Sequence, residues 1–326
     1  MRVFLTLTLI VFTVALTTGC ESRITGKEGL LSFAYTGPGD SADFNRPIAV
    51  GARQELRIRE AVNHRPVTVV DADTDPTDIL EIEEIRERSL ILLALSEGRT
   101  EIRASAELSD GEVVEDFVDM RARVADRLTL RHSCVDGDRG LYLADTEILI
   151  PFGLYAENDE RLTGYGLYPI TTDPEGVVEL SEDHRGQFNL LLTTAEERGT
   201  TTVSPEINGD SIEIEIVLRE DINSITVVGN QEARVNHSAH LWPELFVDDE
   251  KVCQTFLDYS VEVLTPDTCE ILSDEPEPGE DDEAGEETLF PAGWVTVEGR
   301  SPGECRVLYS LADPALATEA VVTITE

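Results

Sequence analysis

Two landmarks recur three times along the chain at a spacing of about 100 residues, and this repeat limits the available folds more than any other feature. The first landmark is a turn followed by acidic and apolar residues. It reads Asp75-Pro76-Thr77-Asp78-Ile79-Leu80-Glu81-Ile82, then Asp173-Pro174-Glu175-Gly176-Val177-Val178-Glu179-Leu180, then Thr265-Pro266-Asp267-Thr268-Cys269-Glu270-Ile271. The second is a glycine that opens a strand: Gly98-Arg99-Thr100-Glu101-Ile102, Gly199-Thr200-Thr201-Thr202-Val203 and Gly303-Glu304-Cys305-Arg306-Val307. Unit starts repeat as well, Asp126-Arg127-Leu128-Thr129-Leu130 resembling Asn223-Ser224-Ile225-Thr226-Val227. Each unit ends in an alternating strand, the last being Ala320-Val321-Val322-Thr323-Ile324.

Between the landmarks the chain reads as short β runs broken by Gly, Pro, Asp and Asn. Gln54-Glu55-Leu56-Arg57-Ile58-Arg59 alternates. Val114, Val118, Met120, Ala122 and Val124 share one parity of a long strand, and Ile212-Glu213-Ile214-Glu215-Ile216 has one face apolar and one acidic. The run from Asp78 to Leu95 contains good helix formers. Embedded among β signals, it is expected to be two strands around Glu87-Arg88-Ser89.

With these residues in place, the chain resembles the bacterial immunoglobulin-like domains of group 2, found in intimins, invasins and other surface proteins. In unit three, Trp294-Val295-Thr296-Val297-Glu298-Gly299-Arg300-Ser301-Pro302-Gly303 follows the second half of that pattern; unit one has Leu93-Ala94-Leu95-Ser96-Glu97-Gly98 there, and unit two keeps the glycine and little else. The resemblance implies an all-β fold of tandem immunoglobulin-like β-sandwiches, with domains at 29–124, 125–220 (divergent) and 221–326. It also places two cysteines. Cys269 falls where units one and two have Leu80 and Val178, and Cys305 falls where they have Thr100 and Thr201. These strands lie close in the family fold, which implies a Cys269–Cys305 disulfide. Cys134 and Cys253 then remain, in different units. A bond between them would clamp domains two and three, and this is the favoured reading. The alternatives are two free thiols, or Cys253 pairing within unit three with Cys134 left alone.

The N-terminus carries a separate signal. Met1-Arg2 precedes the apolar run Val3 to Leu16, which is too short for the roughly 20 residues of a spanning helix. It ends Thr17-Thr18-Gly19-Cys20, which resembles a bacterial lipoprotein signal, with Thr17 where that signal usually has Leu. The resemblance implies a signal peptide at 1–19, lipidation of Cys20, a polar tether at 20–28 and attachment to a membrane through acyl chains. The expected location is the cell envelope, on the outer membrane or cell surface rather than the inner membrane.

A formal net charge of −41 argues against nucleic acid or anionic lipid as a partner, since both demand positive charge. Lys27 and Lys251 are the only lysines, a bias found in proteins of saline habitats and also favoured by GC-rich genomes. The segment 273–287 is dense in like charge and low in hydrophobicity, and reads as a disordered acidic loop. Asp71-Ala72-Asp73-Thr74-Asp75 looks like the start of a calcium loop, but Pro76 stands where an EF-hand has Gly and Ile82 where it has Glu, so a turn between strands is expected. Asp136-Gly137-Asp138 is also read as a turn. His237 and His240 lack a third ligand, and no metal site is assigned. Tyr165 and Tyr168, in Gly164-Tyr165-Gly166-Leu167-Tyr168-Pro169, form an aromatic turn and are the candidate binding residues.

No nucleophile elbow, phosphate loop, zinc-protease helix or dinucleotide fingerprint is present, so no catalytic residue or cofactor is expected. The sequence points to a non-enzymatic envelope lipoprotein that acts as stalk, adhesion module or scaffold. The alternative is a binding subunit that recognises a polysaccharide or protein through loops of domain two or three.

Overall fold

The computed structural model describes residues 23–36, 43–181, 184–254, 257–272 and 293–326. Cys20, the signal segment and the acidic loop 273–287 lie outside the described residues. Unit one contains β1 (Arg23–Thr25), β2 (Leu31–Thr36), β3 (Ile48–Ala49), β4 (Arg53–Glu60), β5 (Thr68–Asp75), β6 (Leu80–Ile85), β7 (Ser89–Ala94), β8 (Gly98–Glu107) and β9 (Val113–Arg123). Its two sheets run β1-β2-β4-β7-β6 and β3-β9-β8-β5. Unit two contains β10 (Arg127–Leu130), β11 (Arg139–Leu143), β12 (Glu147–Tyr155), β13 (Ile170–Asp173), β14 (Val178–Leu180), β15 (Asn189–Thr194), β16 (Gly199–Pro205) and β17 (Ile212–Val217), in sheets β10-β12-β15-β14 and β13-β16-β17-β11. Unit three contains β18 (Ser224–Gly229), β19 (Glu232–Arg234), β20 (Ser238–Val247), β21 (Glu250–Cys253), β22 (Tyr259–Val263), β23 (Cys269–Leu272), β24 (Val295–Gly299), β25 (Gly303–Leu311) and β26 (Leu316–Thr325). Here β20 pairs with β18, β21 and β24, β24 with β23, and the opposing sheet is β19-β26-β25-β22. The molecule is a tandem array of immunoglobulin-like sandwiches.

Alternation sets which side chains face the core. On β9, Val114, Val118, Met120 and Ala122 are buried while Glu115 and Asp119 face out. On β17, Ile212, Ile214 and Ile216 point in and Glu213 and Glu215 out. The run 78–95 is two antiparallel strands, β6 and β7.

The two repeat landmarks meet in space. An added Cβ at Gly98 would come within 2.6 Å of the tip of the Ile79 side chain, so glycine leaves room for Ile79 against this strand. Gly199 faces Val177 and Gly303 faces Thr268, the matching positions of the other units. The Thr100 hydroxyl donates to the Pro76 carbonyl and the Thr201 hydroxyl to the Pro174 carbonyl, each at 2.8 Å. In unit three the corresponding tie is covalent: Cys269 and Cys305 form a disulfide with Cα atoms 5.5 Å apart.

Two local expectations fail. Residues 23–28 are docked to unit one instead of forming a free tether. Arg23–Thr25 is an edge strand on β2, and Lys27 N–H donates to the Phe117 carbonyl at 2.9 Å. The turn that follows is held by Asp116, a fully buried carboxylate on β9 that accepts from the N–H groups of Glu28, Leu30, Leu31 and Phe117 at 2.8–2.9 Å. Likewise, Asp71–Asp75 belongs to strand β5, paired with β8 beyond a bulge at Val69/Asp71, and is not a turn. Its carboxylates are tolerated because β5 is an edge strand, where charge also deters unwanted strand pairing.

Candidate functional site

Both junctions between units are closed by backbone pairing. Between units one and two, Arg53 and Tyr165 exchange backbone hydrogen bonds at 2.8 Å, and Ala49 N–H donates to the Thr163 carbonyl at 2.9 Å. Gly164 makes this approach possible: its φ is +116°, and an added Cβ would lie 2.7 Å from the Ala52 side chain. Beneath it, the buried Thr163 hydroxyl lies 2.6 Å from Gln187 Oε1 and 3.2 Å from Gln54 Oε1. One apolar core runs through both units, including Ile48 and Ala52 from the first and Phe152 and Leu162 from the second.

Units two and three share a sheet. Strand β11 lies parallel to β17 on one side and to β21 of unit three on the other, with Leu141 opposite Val252 and Tyr142 opposite Cys253, giving a nine-stranded sheet across the junction. Cys134 and Cys253 are joined by a disulfide with Cα atoms 5.5 Å apart. The next residue, Gln254, accepts from Leu149 N–H at 2.6 Å and donates to Ser133 Oγ at 2.8 Å, both in unit two. Arg139 bridges Glu215 of unit two and Glu250 of unit three, with Nη1 2.7 Å from the Glu250 carboxylate; its hydrogen bond to Glu215 raises the guanidinium pKa further. Leu141, Leu143 and Val217 of unit two are buried in the core of unit three.

A buried polar pair lies behind this joint. His132 Nδ1 is 2.8 Å from the Tyr142 hydroxyl, and His132 Nε2 has no hydrogen-bond partner among the described residues. Burial pushes the imidazole pKa down, partly offset by Asp138, and pushes the Tyr142 phenol up.

The aromatic turn is mostly enclosed. Tyr165 is buried against unit one. Tyr168 is half-buried, edge-on to Phe152, with its hydroxyl donating to the Gly186 carbonyl at 3.0 Å. A different aromatic group lies on unit three. Along β20, Ala239, Leu241, Pro243 and Leu245 face the core, leaving His240, Trp242, Glu244 and Phe246 on the opposite face. Trp242 stacks on Trp294 with ring centroids 4.9 Å apart and planes at 5°, and His240 lies 5.5 Å from Trp294. β20 holds the place in its sheet that β12 holds in unit two, with Glu147, Leu149 and Pro151 at the outward positions, and that β4 holds in unit one, with Glu55, Arg57 and Arg59. These are the only two tryptophans in the chain, and neither stood out as a site in the sequence. The available signal was an aromatic residue at the outward parity of a strand whose inward positions were already apolar.

Among the described residues no group of three or more His, Cys, Asp or Glu is placed to hold a metal ion. No helix there is long and apolar enough to cross a membrane.

No protein-family model matches the chain, and no curated protein matches it in sequence. Solved structures similar to it include domains 4–9 of the surface layer protein SbsC, at 11% identity and TM-score 0.29, covering 90% of this chain and 47% of that one. Invasin, a bacterial integrin-binding protein, is similar at 15% identity and TM-score 0.25, covering 90% of this chain and 60% of its own. A Bacteroides ovatus mixed-linkage glucan utilization protein, SGBP-B, is similar at 11% identity and TM-score 0.26, covering 86% and 66%. The chain thus spans about half the SbsC fragment, and at these TM-scores the likeness has no bearing on function.

Proposed function

We propose that the chain is a non-enzymatic cell-envelope lipoprotein, anchored at Cys20, whose three sandwiches act as one stiff spacer or adhesion scaffold. The observation that carries this reading is the sheet continued from unit two into unit three through β11 and β21, reinforced by Cys134–Cys253. Flexible multidomain chains place few contacts between units. Here backbone pairing, apolar burial and a covalent bond all cross the joint. The landmarks of units one and three support membership of the group 2 bacterial immunoglobulin-like domains. Small-angle scattering tests the spacer: one rigid arrangement should fit the full chain at low and high salt, and a profile that requires independently moving units would sink it. Palmitate labelling tests the anchor, which should be lost in Cys20→Ser.

A second reading, a subunit that binds a polysaccharide or protein, is favoured by the aromatic strip of unit three. Pull-down from envelope fractions with Trp242→Ala and Tyr168→Ala would separate the two readings. Retention of one component that Trp242→Ala abolishes supports binding, and equal retention by all variants counts against it.

A further inference from the structure

We infer that the free end of unit one, formed by Leu30, Val62 and Val113, seats in the interfacial layer of an electrically neutral lipid bilayer. This deepens the lipoprotein reading and rests on it. The three side chains come from two connections and the first residue of a strand, all at the end of unit one that points away from unit two. Leu30 is in the turn after β1, Val62 in the loop after β4, and Val113 at the start of β9. The connections touch: Ala61 N–H donates to the Leu30 carbonyl at 3.0 Å, while Leu30 and Leu31 N–H both bind the carboxylate of Asp116, three residues beyond Val113. Their exposures are 43%, 80% and 57%. They are three of the ten exposed large apolar side chains among the described residues, and all three lie at this one end. By contrast, no large apolar side chain is exposed among the described residues of 125–220.

Two further observations select a bilayer as the occupant. Cys20 lies three residues before Arg23, a reach of about 10 Å, and β1 adds about 10 Å to the turn, so an acyl chain on Cys20 stays within about 20 Å of this end. Charge also grows away from it. Residues 23–124 hold thirteen of the 25 Lys and Arg, whereas 221–326 hold only Arg234, Lys251, Arg300 and Arg306 against twenty-four Asp and Glu. The chain therefore stands on unit one with unit three outermost. Its overall charge of −41 makes the contact one of apolar insertion into neutral headgroups rather than ionic attraction.

The test uses the full acylated chain bound to phosphatidylcholine vesicles, with an environment-sensitive fluorophore on Val62→Cys or, at the far unit, on Val321→Cys. Brominated acyl chains should quench the label at 62 several-fold more than at 321, and high salt should leave the difference unchanged. Co-flotation without preferential quenching at 62 overturns the inference while leaving the anchor intact. Shielding of the label at 62 only when envelope proteins are added would assign this end to a protein partner and overturn it as well. A chain that fails to float with vesicles removes the anchor reading and this inference together.

Discussion

Asp116 shows how one side chain orders a segment. It sits at an inward position of β9, between Val114 and Val118, where alternation calls for an apolar residue. A buried carboxylate is tolerable because four N–H groups surround it. Asp116→Ala leaves several of those donors unsatisfied and should destabilise unit one by about 3 kcal/mol in chemical denaturation. Unchanged stability would mean that water replaces the carboxylate. His132 makes a pH-dependent contribution. Its folded pKa lies below the ordinary 6.5, so the unfolded chain binds the proton more tightly. The stabilisation is complete above about pH 6.5 and is lost as pH falls through the lower folded value. Melting temperatures measured from pH 7.5 to 5 should fall more steeply for the parent chain than for His132→Gln, which lacks that proton. Parallel curves would exclude a role for His132.

At the scale of elements, the repeated landmarks are the two halves of one contact. A glycine on one strand faces a side chain of the turn, and the residue two positions on ties the two strands together. Units one and two make the tie with a threonine hydroxyl and a proline carbonyl; unit three makes it with sulfur. A disulfide that closes 36 residues contributes about 3–4 kcal/mol through restriction of the unfolded chain, against about 1 kcal/mol for a hydrogen bond. Cys269→Val with Cys305→Thr, the residues unit two uses, should therefore fold and melt as a sandwich about 2–3 kcal/mol less stable. Failure to fold would show that the covalent tie is not interchangeable with the polar one. Most strands were legible because alternation survives wherever one face meets water. The edges were harder to read. Short β1 has no apolar pattern, and β5 carries Asp71, Asp73 and Asp75, so their pairing depends on neighbours far away in sequence.

For the whole molecule, electrostatics and the unit junctions pull in opposite directions. A charge of −41 disfavours the compact state through self-repulsion, and raising salt from 0.1 M to 1 M shortens the screening length from about 10 Å to 3 Å. The melting temperature should therefore rise with sodium chloride and not with an osmotically matched sugar. Equal effects would point to solvent exclusion instead of screening. The junctions oppose separation of the units. Loss of Cys134–Cys253, which closes 119 residues, should lower stability by about 5 kcal/mol, yet β11 and β21 should remain paired, as amide exchange at Leu141 and Val252 can report. By itself the sequence determined the all-β character, the periodicity of the sandwiches and the sign of the surface, because alternation, turn residues and charge are local properties. Only the tertiary structure decided that Tyr165 is enclosed between units, that Trp242 meets Trp294, and that β21 extends a neighbour's sheet. Each depends on which edges and faces come together, and residues about fifty or more positions apart leave no periodic trace of that meeting in the chain.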